Sequence, residues 1–310
     1  MASKATYLFR GTGAMFSNVW HVVGFVDWCR LNNSVPLVDH ESVKAMNFWS
    51  GNNPRNSWTE YFQQVSDQSL KETLESNDYE VFTSRPKSFP VGEYSPLERY
   101  RSAFRRTIKL SGRAEAYVAP WLGFLSEKGK VLGVHLRGSD MKVARSHLAP
   151  PTNFQVFTMI DRALEIADFD SIFVASEDEG SLRKIHSRYG KRLFTTDSFR
   201  TRTTKKLTRM ESPVLQWPFL LGLQVIRDAW MLADCAGLVS GHSNVSEHAQ
   251  VIKETPFPVN FQIRRPRVDV LGSSQPMIRS TNFLREISIS RIPSMDFKII
   301  DRSGLIPVSD

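Results

Sequence analysis

Cysteine is nearly missing: Cys29 and Cys235 are the only two in a chain of 310 residues. Both fall in apolar, periodic segments, which points to buried free thiols rather than a disulfide framework. No set of Cys and His residues has the spacing of a zinc site. Long apolar runs are missing too. Nothing approaches the roughly 18 consecutive apolar residues that a membrane-spanning helix needs. The opening Met1-Ala2-Ser3-Lys4 lacks the apolar stretch of a secretory signal. A cytoplasmic protein is the expectation, with peripheral contact to a membrane surface left open. No repeat of solenoid length recurs. Glycine is thin where it counts: Gly11-Thr12-Gly13 has no third glycine to complete a dinucleotide fingerprint.

What is present is an ordinary globular composition with a basic excess. Hydrophobic residues make up 41%, enough for a sizeable core. The formal charge is +8, which favours an anionic partner: nucleotide, phosphate, nucleic acid or membrane headgroup. The basic residues are scattered rather than interleaved with aromatics, and no nucleic-acid module pattern occurs, so nucleic acid is the weaker choice.

The order of elements predicts two α/β halves. Ala5 to Arg10 reads as a strand, Gly11 and Gly13 as a turn, Phe16 to Leu31 as a helix and Val35 to Val38 as a second strand ending at Asp39. A helix start after a Gly turn favours anions. Helical stretches follow over Ser95 to Ser111 and Glu115 to Leu125, with Pro120 read as an early-turn or kink position. The second half alternates again. Strands are predicted within 130–140 and at 171–175, 192–195 and 237–239, with helices from Thr152 or Asn153, at 181–189, 220–233 and 245–253. The basic run Arg200 to Arg209 reads as a mobile loop, either a solvated surface or a lid. Proline-rich residues 254–310 read as irregular. The resulting division is 1–127, 128–275 and a 276–310 extension.

Chemistry concentrates at predicted strand ends. Val131, Leu132 and Val134 lead into His135, Arg137 and Asp140. On extended backbone His135 and Arg137 project to one side, and an arginine fork matches phosphate oxygens. Open α/β sheets bind ligands beyond the carboxyl ends of their strands. Ser176 to Asp178 and Ser243-Asn244 stand at two further strand ends, the latter opening a helix. Asp228 is a lone acid on an apolar helix. Glu177-Asp178-Glu179 could suit a hard cation, but the basic surroundings argue against a metal. Trp49 and Trp58, near loop chemistry, are candidates for stacking on a sugar.

These residues also carry a resemblance. Gly133-Val134-His135-Leu136-Arg137-Gly138-Ser139-Asp140 resembles the first motif of the α1,6-fucosyltransferase superfamily. That group takes in animal core fucosyltransferases, rhizobial nodulation fucosyltransferases and, more distantly, protein O-fucosyltransferases. Ser171 to Leu182 is similar to its second motif, and Asp228 through Asp234 to Ser243 to its third. Gly11-Thr12-Gly13, Trp20 to Val23 and Pro36 to Asp39 are similar to its N-terminal unit.

The resemblance implies a GT-B-like α/β fold, two Rossmann-like domains facing a cleft, with residues 1–127 on the acceptor side and 128–275 holding a nucleotide sugar. It implies an inverting glycosyltransferase that moves fucose from GDP-fucose to a glycan or glycoconjugate hydroxyl, with no metal and no separate cofactor. Carried over, Arg137 holds the β-phosphate of the leaving GDP, a role that suits a fixed guanidinium facing developing charge. His135 and Asp228 contact guanine, Ser243 and Asn244 hold phosphate oxygens, and Ser176 and Asp178 line the nucleotide pocket. Two departures stand out. Many relatives carry a second arginine where Gly138 stands. An ungapped count puts Arg145 at the position of the proposed base, which leaves Asp140, His147 or a group elsewhere such as Asp39 to deprotonate the acceptor. Two alternatives stay open: a transferase of the same fold using another sugar nucleotide, and a non-catalytic nucleotide- or nucleic-acid-binding protein.

Overall fold

The computed structural model describes residues 4–11, 13–41, 56–82, 97–138, 141, 150–203, 207, 217–264 and 298–301. The chain forms two compact units, Met1–Pro120 with Ser212–Arg227, and Trp121–Glu211 with Asp228–Asp310. This division differs from a linear boundary at 127–128: a segment from the second half of the sequence belongs to the first unit.

The first unit opens β1 (Thr6–Phe9), α1 (Met15–Leu31), β2 (Val35–Val38). It continues with α2 (Leu70–Ser76), β3 (Glu80–Phe82), α3 (Leu97–Thr107) and α4 (Gly112–Ser126). The three strands pair in parallel in the order β2-β1-β3. Helix α1 buries Phe16, Val19, Val22, Val23, Phe25 and Cys29, so it is covered on most sides. Pro120 lies well inside α4 rather than in its first turn. The division between units falls at that proline, where the helix lacks one backbone donor.

The second unit holds β4 (Val131–Leu136), α5 (Asn153–Ile166), β5 (Ser171–Ser176), α6 (Glu179–Tyr189) and β6 (Leu193–Phe194). It continues with α7 (Trp217–Asp234), β7 (Gly237–Gly241), α8 (Asn244–Ile252), β8 (Val259–Arg264) and β9 (Lys298–Asp301). The division into units falls inside α7, after Arg227. The sheet order is β6-β5-β4-β7-β8-β9, parallel except for the antiparallel edge β9. Strand β4 is buried along its whole length, as expected of a parallel strand covered on both faces. Leu132, Val134 and Leu136 pack with Val156, Met159, Ile160 and Ile185 from α5 and α6. Val131, Phe173, Ala175 and Leu238 pack on the other face with Met231, Leu232 and Ala249 from α7 and α8. Thr152 caps α5 in a full capping box with Gln155, which selects Thr152 over Asn153 as the helix start.

Two strands correct the reading of 254–310 as irregular. Val259, Phe261 and Ile263 are buried on the α5 face, while Asn260 and Gln262 are buried between them. This alternation is a strand pattern, hidden by the flanking Pro256 and Pro258 that read as turn chemistry. Strand β9 pairs Lys298 to Asp301 with Arg264 to Phe261.

Candidate functional site

Connectivity singles out one edge of the second sheet. From β4 the chain adds β5 and β6 on one side, then crosses over to add β7 and β8 on the other. The order therefore reverses between β4 and β7. In open α/β sheets the crevice beyond the carboxyl ends at such a reversal is where ligands bind. The residues that leave the sheet there are Arg137 and Gly138 after β4, and His242 and Ser243 after β7.

Arg137 is half-buried. Among the described residues its guanidinium makes no hydrogen bond or ion pair. Beside it His135 is 5% exposed. Burial, and then the Arg137 charge, pull this imidazole down to about 3. The ring is neutral at physiological pH, and its Nδ1 has no hydrogen-bond partner among the described residues.

Gly138 explains the first departure from the family pattern. Its N–H donates to Glu177 Oε1 at 3.2 Å. A Cβ at this position would lie 2.4 Å from Asp178 Oδ2 and 2.7 Å from Asp178 Cβ. Asp178 cannot yield cheaply, because it caps α6. It accepts from the Gly180 N–H at 3.0 Å, the Ser181 N–H at 3.3 Å and the Ser181 hydroxyl at 3.1 Å. Ser176 Oγ in turn accepts from the Asp178 N–H at 3.1 Å. Ser176 and Asp178 thus use their oxygens to build the β5–α6 turn. The turn leaves no volume for an arginine at 138.

At the end of β7, Ser243 is buried and caps α8, accepting from the Val245 N–H at 3.2 Å. Asn244 is exposed, and its carbonyl lies 2.7 Å from His248 Nδ1. Burial lowers His248 to about 4. Two residues missed by sequence reasoning join this end. Glu247 accepts from Gln262 Nε2 at 2.5 Å, and His242 Nδ1 lies 3.6 Å from the same Oε1. Gln262 lies in the stretch read as irregular, so its partner could not be found in the sequence. Asp228, half-buried on α7, accepts from the Thr196 and Ser198 hydroxyls at 3.3 Å each. It ties the exit of β6 to that helix.

The basic run is not mobile at its start. Thr201 bridges to Asp178 in parallel pairing. Arg202 binds Glu179 through Nε at 2.7 Å and Nη2 at 2.8 Å. With Arg183, it holds the Glu179 carboxyl down at about 2. The reason is that Glu177 to Glu179 offer backbone and carboxylate partners that a local reading cannot assign. Residues 204–206 and 208–209 lie outside the described residues. So do Asp140, Arg145, His147 and Trp49.

The first unit's strand ends look inward. Gly13 donates its N–H to Asn18 Oδ1 at 2.9 Å, and its carbonyl accepts from Asn18 Nδ2 at 3.1 Å. The turn with Gly11 and Gly13 is therefore closed on a buried asparagine. The Gly13 N–H expected to favour an anion is taken. Arg10 Nε binds Asp39 Oδ2 at 2.6 Å, and Asp39 is fully buried. The oxygen that a base would use is engaged by a guanidinium. Trp58 is fully buried against His40 and Phe62, so it offers no face to a sugar.

Among the described residues no group of three His, Cys, Asp or Glu side chains is placed to hold a metal ion. No helix among them is long and apolar enough to cross a membrane.

The fold is the α/β, GT-B-like one. Solved structures share it at low sequence identity. A NodZ α-1,6-fucosyltransferase soaked with GDP-fucose is 13% identical, with a TM-score of 0.55 over 96% of this chain and 99% of its own. The fucosyltransferase NodZ from Bradyrhizobium is 13% identical, with a TM-score of 0.56 over 84% and 96%. An Arabidopsis thaliana FUT1 mutant in complex with GDP is 9% identical, with a TM-score of 0.50 over 86% and 72%. No protein-family model matches the chain, and no curated protein matches it by sequence.

Proposed function

We propose that the chain is an inverting, metal-independent glycosyltransferase that moves fucose from GDP-fucose to a hydroxyl of a glycan or glycoconjugate. The observation that carries this reading is the half-buried Arg137 guanidinium. Among the described residues it has no partner, and it stands where the strand order reverses, across from the Ser243-capped start of α8. A cation with no internal counter-charge is suited to an anionic ligand, and the α8 N-terminus adds backbone donors.

An acceptor hydroxyl attacks C1 of the donor sugar from the face opposite the nucleotide. The C1–O bond to the β-phosphate breaks, and GDP departs with the electron pair. Arg137 holds the β-phosphate, where charge develops as that bond breaks. Ser243 and Asn244 hold phosphate oxygens from the helix start. His135, neutral, and Asp228 face guanine, where a carboxylate suits the N1–H and amino donors. Ser176, Asp178 and Glu177 set the turn that fixes Gly138, and through it the backbone of Arg137. Asp140 or His147 takes the hydroxyl proton. The finer assignment of a glycan or glycoconjugate acceptor follows the family resemblance.

The test is calorimetric titration of GDP, UDP, ADP and CDP into the wild type and Arg137→Ala, followed by transfer from GDP-fucose to candidate acceptors. GDP-selective binding, weakened roughly 100-fold in the variant, is the expected result. UDP selectivity would keep a transferase and remove fucose. Salt-sensitive polynucleotide binding without nucleotide selectivity would replace the enzyme with a binding protein.

A further inference from the structure

A diphosphate carries more charge than one guanidinium neutralises, and the residue after Arg137 has no room for a second cation. The neighbouring strand end supplies another polar group. His135 on β4 pairs in register with Ser240 on β7. Arg137 and His242 therefore each stand two residues beyond a matched pair, just past the ends of β4 and β7, whose paired backbones parallel sheets hold about 4.8 Å apart. The His242 side chain is 39% exposed, and its Nδ1 faces Glu247 Oε1 at 3.6 Å. Glu247 is itself fixed by Gln262 from β8, at 2.5 Å. The Nε2 of His242 has no hydrogen-bond partner among the described residues. The carboxylate faces one ring nitrogen and leaves the other turned toward the space beyond the strand ends, where a phosphate oxygen can accept a hydrogen bond from it. Ser243, the next residue, caps α8 through an oxygen lone pair and keeps its O–H to donate.

We infer that His242, oriented by the Gln262–Glu247 pair, is a second phosphate-binding side chain beside Arg137 and makes the site select nucleoside diphosphates over monophosphates. This rests on the donor-site reading above. Arg137 takes one phosphate from the β4 side. His242 donates through Nε2 from the β7 side. A nucleoside monophosphate reaches only one of the two.

The test compares GDP, GMP and guanosine by calorimetry, at fixed ionic strength, in the wild type, His242→Ala and His242→Lys. His242→Ala is expected to weaken GDP about tenfold, the scale of one charge-assisted hydrogen bond, and guanosine by less than about twofold. His242→Lys, which puts another hydrogen-bond donor at the position, is expected to stay within about threefold of the wild type for GDP. Unchanged GDP affinity in His242→Ala, in a wild type that binds GDP, overturns this inference and leaves the donor site standing. An equal loss for GDP, GMP and guanosine also overturns it, because that pattern marks a structural role. A wild type that binds no nucleoside diphosphate overturns both readings together.

Discussion

The same dipeptide ends the first strand of each unit. Arg10-Gly11 follows β1, and Arg137-Gly138 follows β4. Their fates are opposite. Arg10 reaches Asp39 at the end of the neighbouring β2, at 2.6 Å, and the pair closes on itself. Arg137 also has acids one strand away, at Glu177 and Asp178. Those acids are turned to backbone: Glu177 to the Gly138 N–H, Asp178 to the start of α6. One arginine has its counter-charge inside the unit, and the other has none among the described residues, as the proposed donor site requires. A strand-end arginine is therefore a structural group or a binding group according to what the next strand's carboxylate is already bonded to.

Replacing the two arginines should separate these roles. Arg10→Ala leaves Asp39 buried without its cation and should cost about 3 kcal/mol of stability, read from urea unfolding. A loss below about 1 kcal/mol would put the pair on a par with a surface ion pair and erase the contrast. Arg137→Ala should do the reverse. Stability should stay within about 0.5 kcal/mol, since no internal partner is lost, while GDP affinity falls roughly 100-fold.

Gly138→Ala probes the turn that keeps the acids away from Arg137. Its Cβ would press on a carboxylate held by three donors, so a loss of about 1–3 kcal/mol is expected, with nucleotide affinity falling alongside. If the variant is as stable as the wild type, Asp178 has shifted freely and the turn is softer than its bonds suggest.

The smallest effect concerns pH. His40 and His248 are buried and lowered to about 4, and His135 to about 3. Unfolded, they titrate near the ordinary value of about 6.5. Below that value the unfolded chain takes up protons that the folded chain refuses, so stability is full above about pH 6.5 and is lost as the pH falls toward 4. His40 has two ring nitrogens without hydrogen-bond partners. In His40→Leu the stability–pH slope between pH 6 and 5 should be shallower by at most about 1.4 kcal/mol per pH unit. An unchanged slope would mean that His40 is protonated in the folded state.

Much of the site was readable because its signals are local. A β-branched run into His135 and Arg137 marks a strand end, Thr152 or Asn153 marks a helix start, and Ser243 marks another. Glu177 and Asp178 were seen as acids at a strand end but not as the cap and the brace they are, since a capping carboxylate and a ligand carboxylate look alike in one dimension. His242 and Glu247 were passed over because the partner that orients them, Gln262, sits in a strand disguised by prolines.

The sequence by itself determined the alternation of strands and helices, the basic excess and the arginine at the end of β4. Periodicity and capping act over a few residues, so a linear reading captures them. The tertiary structure decided which arginine is paired, why 138 must be glycine, and which strand end faces Arg137. Those outcomes depend on strands that lie far apart in the chain and meet only because parallel pairing sets β4 between β5 and β7. Counter-charge, steric room and hydrogen-bond partners are properties of that meeting.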